Sequence, residues 1–225
     1  MTGEMEAFQS HVAGDDPRIR LADATRRVIG ELVSSTADAD AFATARDLVE
    51  RAVDVLGGGS HGRTYEGAAE AAIAELGMLA FVDYSPFLGV LNPLAPPINM
   101  SWGAEPGSTE VCGAATYGDP YEGPPGCVHG GFIAAGFDEV LGFTQARADR
   151  PGMTASLKID YRSPTPLHEE LHFRGRIERI EGRKTFTSAE LVVAGDGRVC
   201  AQATGLFIAI PQAVFDQMKQ ARETG

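Results

Sequence analysis

The chain has 225 residues, with 19 Lys plus Arg against 31 Asp plus Glu and a formal net charge of −12. That balance argues against a nucleic-acid scaffold, which depends on clustered cations to neutralise phosphates. No apolar run approaches the ~20 residues of a membrane span, and 44% hydrophobic residues suffice for a real core in one domain with an appendage.

The first residues carry Glu4, Glu6, Asp15 and Asp16 with no apolar stretch behind them, so they do not read as a signal peptide and a cytoplasmic protein is expected. From Pro17 to Leu56 the pattern is helical, broken near Ser34 to Asp40. Phe42, Ala45, Leu48, Val49, Ala52, Val53 and Leu56 form one apolar stripe in its second half, and Arg26 and Arg27 stand opposite the apolar face of its first. An N-terminal helical extension over 1–83 is expected, with the main domain over 84–225. Residues 84–107, rich in Pro, Gly and Asn, predict an irregular connection, Ser108 to Tyr117 a strand and Gly118 to Gly126 a turn.

From His129 to Ala146 apolar residues occur nearly all round, which predicts a helix buried in the interior. The period then changes to two. Met153–Tyr161, Leu171–Ile180, Lys184–Ala194 and Val199–Ile210 read as strands of an antiparallel meander, with Gly182 and Gly195-Asp196-Gly197 as turns. A sheet curled around one apolar helix is an α+β fold.

Cys112, Cys127 and Cys200 are odd in number and widely spaced, as expected of reduced thiols rather than a disulfide framework or a metal site. The five histidines show no metal-ligand spacing. Charge is uneven: residues 86–146 hold no Lys or Arg and six acids, whereas 147–184 hold nine cations and six acids. The cationic stretch is either a solvated sheet face or an anion-binding surface.

The sharpest local signal is Gly126-Cys127-Val128-His129-Gly130-Gly131 with Asp138 further along the helix. Paired glycines at a helix N-terminus either let backbone N–H groups hold a developing oxyanion or merely permit tight packing. Asp138, flanked by Phe137, Val140 and Leu141, is expected to be buried, either as a satisfied structural acid or as a general base or nucleophile with its pKa raised; Glu139 is expected to point to solvent. Nine residues place His129 and Asp138 on opposite sides of a helix and ~13 Å apart along it. They serve different purposes, or a second subunit completes the site.

The string HGGFIAAGFDEVLGF, with MTASLKIDYRSPTPL, IEGRKTFTSAEL and AQATGLFIAI downstream, resembles hotdog-fold acyl-CoA thioesterases of the phenylacetic-acid-pathway type and is similar to the mammalian thioesterase superfamily members 4 and 5. The resemblance runs from Asn92 to Ile210, about half of the chain. It implies a hotdog fold in a homodimer or dimer of dimers and hydrolysis of an acyl-CoA, with no cofactor beyond the substrate's coenzyme A. It assigns the oxyanion contact to Gly130 or Gly131, the base or nucleophile to Asp138 supplied by the partner subunit, and a supporting hydroxyl to Thr154. It gives His129 a role near the thioester and makes Arg183 and Lys184 coenzyme A phosphate contacts. Rival readings are a non-catalytic acyl-CoA sensor and a hotdog dehydratase, although the Asp-x4-Asn-x2-His pattern of hydratases is absent from the sequence.

Overall fold

The computed structural model describes residues 5–7, 14–58, 83–103, 108, 110–148, 152–211, 213, 214 and 217. Helix α1 (Pro17–Ser34) starts on Asp16, whose carboxylate accepts the Arg18 N–H at 2.7 Å, with proline at the first helical position. Helix α2 (Ala39–Leu56) starts likewise on Asp38, which accepts the Ala41 N–H. The apolar stripe of α2 has the expected period but no buried member among the described residues. Between the helices runs a groove of about 730 Å³ walled by Val28, Leu32, Phe42 and Val49.

Arg26 does not face water as its place on the pattern suggests. Its guanidinium reaches the carbonyls of Gly89, Val90, Asn92 and Ala95 at 2.9–3.0 Å, fastening α1 to the irregular segment 83–98. That segment folds back on the core through Leu88, Ala95 and Ile98, all buried.

The strands are β1 (Met5–Ala7), β2 (Asn99–Gly103), β3 (Val111–Thr116), β4 (Gly152–Tyr161), β5 (Glu170–Glu181), β6 (Lys184–Val193) and β7 (Val199–Ala209). They form one antiparallel sheet in the order β1-β2-β3-β5-β6-β7-β4. Strands β1 and β2 depart from the expected pattern. Three and five residues are too few to show a period, and β2 lies in a Pro- and Gly-rich stretch whose composition reads as loop. The long helix α3 (Gly130–Ala146) lies across β3, β4, β5, β6 and β7, which gives the hotdog arrangement.

The core forms where helix meets sheet: Phe137, Val140, Leu141, Phe173, Leu191, Ala201 and Phe207 are all buried. Phe137 and Phe173 meet edge to face with centroids 5.2 Å apart. Close approach depends on Gly136, where an added Cβ would stand 2.6 Å from the Phe173 Cζ and 3.1 Å from the Tyr117 hydroxyl. Neither ring has room to move, so Gly136→Ala is expected to cost about 1–3 kcal/mol by overpacking, read as a lowered urea midpoint at unchanged m-value.

Strand β4 is the sheet's terminal strand, paired only with β7 among the described residues. Met153 is 49% and Tyr161 55% exposed there. Ten residues of extended backbone thus present a free edge.

Candidate active site

The helix N-terminus takes its shape from His129. It is the N-cap, and its Nδ1 accepts the Gly131 N–H at 3.0 Å, which leaves the ring proton on Nε2. The Gly131 amide is therefore already engaged. The Gly130 N–H has no hydrogen-bond partner among the described residues, and Gly130 lies in a cleft of about 470 Å³ walled also by Cys127, Ile133, Tyr161 and Thr165. Of the two glycine amides, Gly130 is the one free to meet an oxyanion.

Tyr161, at the end of β4, donates its hydroxyl to the Gly130 carbonyl at 2.8 Å. A Cβ on Gly130 would stand 3.2 Å from that oxygen, so the close approach suits glycine. Nothing in the sequence pattern singles out Tyr161, which the alternation of β4 counts among its apolar positions. Its place at the strand end carries the hydroxyl past the covered face.

Two turns along α3, Asp138 is exposed in this chain, contrary to the burial its neighbours imply. It accepts a hydrogen bond from Thr154 Oγ1 at 2.9 Å. The register of β4 against β7 shifts between Thr154 and Ser156, and a bulge at that point turns the threonine hydroxyl toward the helix.

The next residue, Glu139, is half-buried. Glu139 faces the segment 83–98, where Ser85 Oγ lies 3.4 Å from its Oε1. Loss of solvent, then the adjacent Asp138 charge, push the Glu139 carboxyl up from an ordinary 4.5 to about 7, against the lowering effect of the Ser85 hydroxyl. Helical geometry accounts for the exchange: consecutive residues differ by about 100° in azimuth, so only one of the two can face the segment.

Because the folded state holds an extra proton on Glu139 between pH 4.5 and about 7, stability is expected to fall as pH rises through that window and to level off above it. Glu139→Gln is expected to flatten that slope and to gain about 1–3 kcal/mol at pH 8, measured by urea unfolding across pH.

Arg183 and Lys184 lie in the β5–β6 turn, where the Arg183 Nε donates to the Ala209 carbonyl at 3.2 Å. Thr185 pairs with Phe207, which pairs with Thr154, so the two cations stand about two strand spacings, ~10 Å, from Thr154. The chain thus gathers Asp138, Thr154, Arg183 and Lys184 at one end of β4. His129, Gly130 and Gly131 are set toward the other, where Tyr161 stands seven residues, roughly 23 Å of extended strand, beyond Thr154. Among the described residues no group of three His, Cys, Asp or Glu side chains stands close enough to hold a metal ion; His11 and His61 lie outside them.

The thioesterase superfamily family model matches residues 125–201, which span α3, β4, β5, β6 and the start of β7. Acyl-coenzyme A thioesterase THEM4 of Xenopus laevis is 42% identical over 90 residues, 40% of this chain and 40% of that protein. The Rattus norvegicus protein of the same name is 40% identical over 87 residues, 39% of this chain and 37% of that one. The chain therefore spans about two fifths of the length of these curated relatives. A crystal structure described as a thioesterase superfamily protein superposes with a TM-score of 0.74 at 32% identity, covering 92% of this chain and 100% of that one. With the whole of that structure matched, helix and sheet together, the chain belongs to the thioesterase superfamily.

Proposed function

We propose that the chain hydrolyses acyl-CoA thioesters to a free carboxylic acid and coenzyme A, at sites shared between subunits of a homodimer or a dimer of dimers. The observation that carries this reading is the Asp138–Thr154 pair beside a free sheet edge, with the unengaged Gly130 amide at the far end of the same strand. Eight residues separate Gly130 from Asp138, about 12 Å along the helix, so one carbonyl cannot touch both in one chain. Pairing β4 antiparallel with its copy about a two-fold axis reverses the strand. The Asp138 end of one subunit then meets the Gly130 end of the other.

The chemistry follows from that juxtaposition. The thioester carbonyl oxygen points at the Gly130 N–H and the positive end of the helix dipole. The partner subunit's Asp138, oriented by Thr154, takes a proton from water; the water oxygen adds to the carbonyl carbon and the charge moves to the oxyanion. Collapse breaks the C–S bond, and the proton passes to the departing thiolate. His129 and Tyr161 hold the glycine peptide between them. Phe137 and Phe143 are buried in the core and cannot line an acyl tunnel, which leaves Phe132 as the partly exposed ring of the three. The free thiols of Cys112, Cys127 and Cys200 suit a reducing, cytoplasmic setting.

The test is release of thiol from short-, medium-, long-chain and aromatic acyl-CoAs by the full-length chain. Turnover of at least one class is expected; binding without release across the panel would instead favour an acyl-CoA sensor. Arg183→Ala and Lys184→Ala are each expected to raise KM about fivefold, less at high salt, as befits exposed charge contacts to phosphate.

A further inference from the structure

Glu139 has no place in the reaction just described, yet it is the acid that the fold half-buries beside the exposed Asp138. Its partner Ser85 is fully buried, and the Ser85 oxygen already accepts the N–H groups of Phe87 and Leu88, each at 3.1 Å. Its remaining hydrogen-bonding capacity is its proton, which is directed at Glu139 Oε1. Ser85 is anchored in turn: the Phe87 carbonyl accepts the Ile98 N–H at 3.0 Å, and Arg26 of α1 binds four carbonyls between Gly89 and Ala95. On the neighbouring face of the same helical turn, Asp138 meets Thr154 of β4.

We propose that Glu139 is a positioning residue for the thioesterase reaction, holding the turn of α3 that carries Asp138 through a chain of contacts that runs by Ser85 and the 83–98 segment to Arg26 of the N-terminal extension. It touches no reacting atom. It fixes the rotation of the helix turn about its axis, because one face is bound to the segment and the other to β4. A small rotation would carry the Asp138 carboxylate off Thr154 and away from the water it must deprotonate, and misplacement of that order costs orders of magnitude at its worst. The N-terminal extension thereby supports the site from a distance, since Arg26 holds the segment that holds the helix.

The proposal rests on the thioesterase reading, and the experiment separates the two. Full-length wild type, Glu139→Ala, Glu139→Gln, Ser85→Ala and Arg26→Ala are assayed for kcat and KM on the best acyl-CoA, with melting temperatures and hydrogen exchange of the 83–98 segment measured alongside. Expected is a fall in kcat of about tenfold for Glu139→Ala and Ser85→Ala, with KM held within about twofold. Glu139→Gln, which keeps the oxygen acceptor for Ser85, is expected to retain kcat within about threefold of wild type. Arg26→Ala is expected to speed exchange over 83–98 and to lower kcat in parallel. Unchanged kcat in Glu139→Ala at any melting temperature, or failure of Glu139→Gln to recover kcat, overturns the proposal. No thiol release by wild type overturns the thioesterase reading instead, and then faster exchange over 83–98 in Glu139→Ala and Ser85→Ala still reports the physical link.

Discussion

Asp138→Ala is expected to lower thioester turnover by about 10²–10⁴-fold, the contribution of a positioned general base, with the fold intact. Asp138 is exposed and makes one side-chain bond among the described residues, to Thr154, and alanine is the best helix former, so stability has little to lose. Asp138→Asn refines the test. The asparagine keeps an oxygen for the Thr154 hydroxyl, yet it cannot take a proton. Equal loss in both variants assigns the effect to basicity, whereas near-wild-type turnover in Asp138→Asn would remove Asp138 as base. Thr154→Ala, which leaves the carboxylate in place but unoriented, is expected to fall between them and wild type, at about tenfold. The checks are kcat by thiol release and melting by circular dichroism.

Most of the fold is legible in the sequence because long elements have long periods. The interior helix announces itself by being apolar on every side, and Phe137, Val140 and Leu141 are indeed buried against the sheet. The four long strands β4 to β7 show period two in sequence, and burial follows it in β5, β6 and β7 but not in the terminal strand β4, where Ala155 and Tyr161 are exposed. The short strands β1 and β2 are not legible, because three and five residues carry almost no periodicity and the Pro- and Gly-rich surroundings of β2 outweigh it. Arg26 shows the limit of a helical wheel. The wheel says which way a side chain leaves its own helix, and not that a loop more than 60 residues away will bring four carbonyls to meet it.

The site is legible as a set of residues and less so as an arrangement. Glycines after a histidine and a carboxylate further along the helix are local features, and a short motif contains them. Which acid is shielded from water is not local. Asp138 and Glu139 share the same apolar neighbours in sequence, and the choice between them rests on where segment 83–98 crosses the helix. The split between the glycine amides likewise depends on a rotamer: the His129 ring turns back to accept from Gly131, which commits that amide and leaves Gly130. Spacing alone does separate the two ends of the site, since helical rise is independent of context.

That separation leads to the second large effect. Gly130→Pro deletes the proposed oxyanion donor but also sets a Cβ 3.2 Å from the Tyr161 hydroxyl, so Gly130→Ala, which adds the same Cβ and keeps the N–H, is its control. Gly130 is the first residue of α3, where proline is favoured, and the preceding His129 has φ −61° and ψ 133°, the extended backbone a residue before proline adopts. This variant alone is expected to lose about 10²–10³ in kcat. Asp138→Ala disables the other end. Mixed after denaturation, or coexpressed and separated by distinct tags, the two inactive chains form a hybrid in which one site has the native Gly130 of one chain and the native Asp138 of the other. The second site in that hybrid lacks both. Random pairing of two-fold dimers makes half of them hybrids with one working site of two, so about a quarter of wild-type activity is expected from a 1:1 mixture. If Gly130 and Asp138 acted within one chain, every site in every combination would lack one of them and the mixture would stay as inactive as its parents. Recovery therefore reads out directly that the helix N-terminus of one subunit and the carboxylate of the other meet across β4.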